Sequence, residues 1–356
     1  MRHRLVFTNL LLAALFLALA PTALASSKWY VDGVNGSDNN DCKSPQTACK
    51  TIGHAISLAH AGDSIMVAAT TYTENLTIGT SLKIVGSGAK TTIIDGGGVN
   101  TVVAIVSHGV HVTLSRVTIR NGFYVYGGGG ILNLGTLTIN NSTVSGNVAM
   151  VGGGIDNYGG TVTINNSTLS GNRSGIDRDG GGGIVNDGGT LTINNSTLSG
   201  NVAAGNGIGG GILNLGTLTI NNSTVSGNVA GHGGGIDNNS GTTTLQNSIV
   251  ANNSGGNCDG TMTSNGYNLS SDGTCNFNGT GDLNNTDPKL GQLGNYGGPT
   301  QTLPLLSGSP AIDAGNPSGC TDGQGHLLKT DQRGRPRPDK EDTGGCDMGA
   351  YERQKD

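Results

Sequence analysis

The chain has 356 residues, of which 64 are glycine and 9 proline, with 34% hydrophobic and 12% charged residues and a formal net charge of −5. Glycine and proline make up about a fifth of it, close to but below the composition of disordered chains, so order has to come from a pattern. A mildly acidic chain with scattered Lys and Arg argues against nucleic acid as a partner.

The N-terminus reads as a secretory signal peptide over residues 1–25. Arg2, His3 and Arg4 precede an apolar run from Leu5 to Ala20, and small residues lead to Ala25. That run is short for a membrane span and no later run replaces it, so the expected product is a secreted, extracellular monomer without a transmembrane segment. Six cysteines remain after export, an even number that favours disulfides. Cys42 with Cys49, Cys258 with Cys275 and Cys320 with Cys346 is the simplest of fifteen pairings. No pair has zinc-finger spacing.

Residues 26–63 read as an N-terminal cap. Ile52, Ile56 and Ala59 lie at i, i+4 and i+7, with Thr51 ahead and Gly62 behind, which predicts a short amphipathic helix. A solenoid needs its open end covered, because bare strand edges recruit other chains. From Ser64, short strand-like runs follow one another: SIMVA, NLTI, SLKIVG, TTIID, VVAIV, HVTL and RVTI.

From Gly127 to Asn253 one unit is written about five times, restarting at Gly152, Gly181, Gly209 and Gly233. The ruler residues Ser142, Ser167, Ser196, Ser223 and Ser248 are 25, 29, 27 and 25 residues apart. Each unit holds a period-two T-L-T-I run and two shorter strand-like runs between Gly and Asn turns. No unit can bury its aliphatics alone, so the copies must stack, each strand pairing in parallel about 4.8 Å from its equivalent. The expected fold is all-β: a right-handed parallel β-helix over residues 64–280, of about eight to ten coils and roughly 40 to 50 Å long. Leu137, Ile139, Val144 and Ile131 face inward, answered by Val162, Ile164, Leu169 and Ile155. Two asparagine columns, Asn133/157/186/214/238 and Asn147/172/201/228/253, are expected to form amide ladders at the corners.

After Asn253 the pattern gives way to a loop tied by Cys258 and Cys275, then to an irregular tail over residues 281–356. The tail carries Gly297-Gly298-Pro299-Thr300, Ser309-Pro310-Ala311-Ile312-Asp313-Ala314-Gly315, the run Asp331-Gln332-Arg333-Gly334-Arg335-Pro336-Arg337-Pro338, and Asp347-Met348-Gly349-Ala350-Tyr351-Glu352. In that order these motifs resemble the choice-of-anchor Q region found behind β-helices of secreted bacterial proteins. The words YVDG, CKT and GDSIMVA near the N-terminus look like the opening of pectin-lyase-like β-helices. The repeats are also similar to those of polymorphic membrane adhesins, with Val or Leu where those have Phe.

The pectin-lyase-like resemblance implies chemistry on acidic polysaccharides along an outward sheet, with clustered carboxylates, calcium in lyases or paired aspartates in hydrolases. The repeats carry few such groups. Outward positions next to the inward Ile and Asn hold Asp156, Tyr158, Asp187 and Asp237. Asp156, Asp187, Arg178 and His232 form the catalytic alternative, as a polysaccharide lyase or hydrolase. Calcium belongs only to the lyase alternative, and no other cofactor or metal is expected.

The units differ mainly in the loops VAMV, RSGIDRDG, VAAGNGI and VAGH, which emerge on one flank. Variable loops on one side of a repeat stack are where binding is built. Arg173, Asp177, Arg178, Asp179, Tyr158 and His232 are therefore the candidate binding residues, toward a polysaccharide or cell-surface component. A third surface is a grid of outward threonines: Thr136 and Thr138, Thr161 and Thr163, Thr190 and Thr192, Thr217 and Thr219, and Thr242 and Thr244. It resembles the ice-facing sheet of some solenoid antifreeze proteins. The main expectation is an extracellular structural or binding module that engages surfaces or glycans.

Overall fold

A computed structural model describes residues 26–175, 180–322, 325–340 and 345–354. Among them all named strand pairs are parallel and build four sheets, so the chain is a parallel β-solenoid. Sheet I has ten strands, from Lys28–Val31 to Thr263–Ser264, and contains the T-x-T run of each repeat, such as Thr136–Asn140 and Thr161–Asn165. Sheet II has nine, from Thr71–Thr73 to Leu269–Ser270, with Thr143–Ser145 and Thr168–Ser170 among them. Sheet III has eight, from Leu76–Ile78 to Cys258–Gly260, with Ile131–Asn133 and Ile155–Tyr158 among them.

The serine ruler is a true structural register. Thr143 pairs with Thr168, Thr168 with Thr197, Thr197 with Thr224 and Thr224 with Ile249, one residue beyond each ruler serine. Leu137, Ile139, Val144, Ile131, Val162, Ile164, Leu169 and Ile155 are all fully buried in one continuous core. Each contributes roughly 1.5–3 kcal/mol.

The corners are held by polar ladders that satisfy what the thin core cannot. In the first asparagine column each Nδ2 donates to the Oδ1 of the next residue, at 2.8, 2.7, 2.8 and 2.9 Å from Asn133 to Asn238. The second column does the same from Asn147 to Asn253. The ruler serines form a third ladder: the Ser142 N–H donates to Ser167 Oγ, and this repeats through Ser196 and Ser223 to Ser248. The Asn that precedes each ruler serine takes the left-handed conformation that lets the chain bend sharply, with φ of 48, 49, 50, 47 and 50° at Asn141, Asn166, Asn195, Asn222 and Asn247.

At the N-terminus the helix Ile52–Leu58 forms as expected, with Thr51 Oγ1 accepting the His54 N–H. Glu74 accepts the N–H groups of Ile52 and Gly53, two donors the helix cannot satisfy itself. Sheet I, however, begins before Ser64. Lys28–Val31 pairs with Asp63–Val67, and its free edge is closed by the Cys42–Cys49 loop, whose Cys49 N–H donates to Tyr30 O. All three local cysteine pairs are bridged.

The segment after Asn253 also differs from the expected loop: it adds another rung to sheets I, II and III. It does so because Asn257 and Asn268 take over two ladders, accepting from Asn253 Nδ2 and from the Ser248 N–H.

The C-terminal segment is irregular but not separate. It folds back over sheet II, where the outward threonines of successive coils offer hydroxyls. Gln332 Nε2 donates to Thr168 Oγ1 and the Ser167 carbonyl, and its Oε1 accepts from Thr197 Oγ1. Thr224 Oγ1 accepts the Ala350 N–H, and Asn222 and Asn247 donate to Thr321 O and Asp347 O. Leu305, Ala311 and Met348 add a second small core against Ile249, Ala251 and Leu269. The charged residues of the tail motifs lock this cover to itself. Arg337 Nε binds Glu352 Oε2 at 2.7 Å with both side chains fully buried, Arg333 pairs with Asp331 at 2.7 Å, and Arg333 stacks over Tyr351.

A buried carboxylate stripped of its cation is costly. Arg337→Met should therefore lose about 3–5 kcal/mol in urea unfolding, and Arg337→Met with Glu352→Gln should recover part of that loss. Equal losses in the single and double variants would show that the ion pair is not what holds the cover.

Candidate functional site

Sheet III carries outward side chains at Leu132, Asp156, Val185, Leu213, Asp237 and Asp259, paired in that order on successive coils. The glycine run that opens each repeat passes over this column. At Gly127 even a Cβ would lie 3.0 Å from Asp156 Oδ2, and at Gly181 one would lie 2.2 Å from Val185.

Asp156 is therefore not the open surface acid expected from its outward phase. It is 6% exposed, and its Oδ1 has no hydrogen-bond partner. Burial is the main cause that lifts its pKa to about 7; Asp187 adds repulsion and the Gly128 N–H opposes it. Asp187 pairs in register with Tyr158 and is half-buried, while Tyr158 is 57% exposed. Neither acid has a basic partner within ion-pair distance among the described residues.

The folded state keeps the Asp156 proton to a higher pH than the unfolded chain does. Its stabilising contribution is complete below about pH 4 and is lost as pH rises through about 7, on the order of a few kcal/mol. Asp156→Asn should accordingly be more stable than the parent at pH 8 and lose the advantage at pH 4–5, read from urea midpoints. A stability difference independent of pH would contradict this assignment.

The ionisable groups that do converge lie further along the column. Asp237 and Asp259 are partners on adjacent strands, about 4.8 Å apart along the stack. His232 Nδ1 lies 4.0 Å from Asp259 Oδ2. A cleft of about 360 Å³ opens here, with Ile208, Asn238, Asn239 and Gly260 completing its wall. Asp237 is 5% exposed and Gly233 presses on it, a position where a Cβ would meet the Asp237 Cβ at 2.8 Å. Burial, then Asp259, pushes its pKa up to about 6, against the pull of His232. Asp259 is half-exposed and is steadied by the Gly260 N–H.

Sequence reasoning placed His232 and Asp237 but missed Asp259, because Cys258-Asp259-Gly260 reads as a disulfide loop. The signal was its phase: Cys258 takes the inward place of Ile236 and Asp259 that of Asp237.

The flank loops hold a fourth sheet that the repeat did not announce. Phe123–Tyr124, Val148–Ala149, Arg173–Ser174 and Val202–Ala203 pair in parallel as sheet IV, each strand starting just past an S-G-N or N-G corner. Its first rungs line a cleft of about 390 Å³ formed by Phe123, Tyr124, Val125, Met150, Arg173 and Ser174. Phe123, Val125 and Met150 are 46%, 40% and 41% exposed, and Tyr124 is braced edge-on by Tyr126 at 5.9 Å. The Ser174 hydroxyl is buried on this wall with no hydrogen-bond partner among the described residues. Arg173 borders this cleft, whereas Asp177, Arg178 and Asp179 lie outside the described residues.

The threonine grid is in register across five coils of sheet I, with Thr161, Thr190, Thr217 and Thr242 exposed and the second threonine of each pair half-buried. For metals, the one Cys/His/acid group close enough among the described residues is Cys42, Cys49 and His54, and both thiols are in a disulfide. Asp237, Asp259 and Asn239 bring two carboxylates and an amide oxygen to this cleft, part of the kind of oxygen shell that calcium takes. No helix among the described residues is long and apolar enough to cross a membrane, which says nothing of β-barrels.

No family model and no curated protein matches the chain. Among solved structures it is similar to pectate lyase Pel9A, at 16% identity over 93% of this chain and 98% of that one, with a TM-score of 0.49. A lacto-N-biosidase from Eubacterium ramulus aligns at 12% identity over 68% of this chain and 60% of that one, TM-score 0.40. Pectin methylesterase from Erwinia chrysanthemi aligns at 14% over 72% of this chain and 82% of that one, TM-score 0.35.

Proposed function

We propose that this is an extracellular glycan-binding β-solenoid whose binding flank is the cleft on sheet IV. The observation that carries the reading is the wall of Phe123, Tyr124, Val125 and Met150, which Arg173 borders and on which the Ser174 hydroxyl has no partner among the described residues. A folded chain that leaves aromatic and aliphatic surface open beside a cation and an unmet hydroxyl is matched by a ligand with apolar C–H faces and polar edges. Sugars have that character, and Arg173 favours acidic ones. The three disulfides suit an oxidising, extracellular setting, in keeping with the signal-peptide reading of residues 1–25. The tail's resemblance to choice-of-anchor Q supports a secreted bacterial protein whose C-terminal segment protects sheet II.

On a panel of neutral and uronate-containing oligosaccharides, saturable binding to at least one is expected by calorimetry. Phe123→Ala with Tyr124→Ala should weaken it roughly tenfold or more. Binding that ignores the double variant, or no binding across the panel, would remove this reading.

A hydrolase is the second reading, favoured by the juxtaposition of Asp237, Asp259 and His232. A buried carboxyl that holds its proton toward pH 6 can act as general acid, and a neighbouring carboxylate one rung away matches the close spacing of retaining glycosidases. New reducing ends from uronate polymers would then appear without added calcium, decline as pH rises through about 6, and vanish in both Asp237→Asn and Asp259→Asn. Unsaturated ends that depend on calcium would indicate a lyase instead, and no product of either kind would leave the solenoid a binding protein.

A further inference from the structure

Arg116 breaks the corner rule of the solenoid. At five successive corners the left-handed residue is asparagine, whose short amide tolerates that conformation, yet the corner one coil earlier has Arg116 at φ 60°. The station is the same: the Arg116 N–H donates to Asn140 O as the Asn141 N–H donates to Asn165 O. Non-glycine residues that hold a sparsely populated backbone conformation concentrate where a side chain is being aimed. Here the side chain is a cation. It donates to the Ser87 carbonyl, and no carboxylate among the described residues lies within ion-pair distance of it.

Arg116 borders a cleft of about 360 Å³ at the N-terminal end of sheet I. The floor is one outward column of three rungs, Tyr30, Met66 and Val85, each half-buried. The column turns polar immediately afterwards, at Ser115, Asn140 and Asn165, so along it the apolar floor is confined to the rungs beside Arg116. Asp32 also borders the cleft, but its carboxylate is committed to its own turn, accepting the Val34 and Asn35 N–H groups and Asn35 Nδ2.

We propose that this cleft is a second binding site, for a small monocarboxylate with a planar apolar body. The carboxylate sits on the guanidinium fork and the body lies over Tyr30, Met66 and Val85. The site is separate from the glycan flank and does not depend on it.

Benzoate serves as the probe, with benzamide as its neutral counterpart, titrated by NMR into the disulfide-bonded chain. Saturable benzoate shifts at Tyr30 and Met66 are expected, with benzamide at least about tenfold weaker. Arg116→Asn installs the residue that the next five corners use, so it should fold with an unchanged or higher melting temperature and lose benzoate binding about tenfold or more. Phe123→Ala with Tyr124→Ala should leave it unchanged. No saturable benzoate binding, or undiminished binding in Arg116→Asn, overturns the proposal.

Discussion

Lateral registration of nearly identical coils is the constraint on which the molecule depends, and buried amides enforce it. Each coil brings only a few inward aliphatics, so apolar burial alone would tolerate a two-residue slip, which keeps them facing inward. The asparagine columns do not. A ladder amide that loses its neighbour leaves a buried donor and acceptor unmet, at about 1–3 kcal/mol, and a two-residue slip would do this at every rung of two columns. Asn133 through Asn238 and Asn147 through Asn253 therefore act less as glue than as an index that fixes which residues face which.

Once the interior is indexed, the outside is free to differ face by face. Sheet II presents threonines that the C-terminal segment takes as hydrogen-bond partners, so its outer surface becomes a second interior stabilised by Gln332 and the Arg337–Glu352 pair. Sheet I shows a regular threonine surface over its later coils and an apolar one, edged by Arg116, at its first rungs. Sheet III and the small sheet IV carry what looks most like chemistry: acids partly roofed by glycines, and an aromatic wall. The roof matters for charge, because the glycine run that lets one coil pass over another desolvates Asp156 and presses on Asp237, and burial is the largest cause of both raised pKa values.

Much of this was legible in the chain. Period-two T-L-T-I runs with serines at 25- to 29-residue spacing specify strands, stacking and inward residues, because a repeat too small to bury itself has few other solutions. What was not legible has physical reasons. The rung at Cys258-Asp259-Gly260 hid because a cysteine took an aliphatic position, so the Asp237–Asp259 juxtaposition went unseen. Asp156 was read as open because phase reports direction, not what lies overhead. The docking of the tail on Thr168, Thr197 and Thr224 rests on contacts more than a hundred residues apart, which local pattern does not encode.

The most direct test of the indexed stack is a set of spin-label distances along one column of sheet I. With one label at Thr113 and the second at Thr192, Thr219 or Thr244, three, four and five coils away, electron–electron distances should rise in equal steps of about 4.8 Å, on underlying separations of about 14, 19 and 24 Å. Distances that fail to rise in equal steps, or broad distributions at every site, would contradict the register from which every surface described above follows.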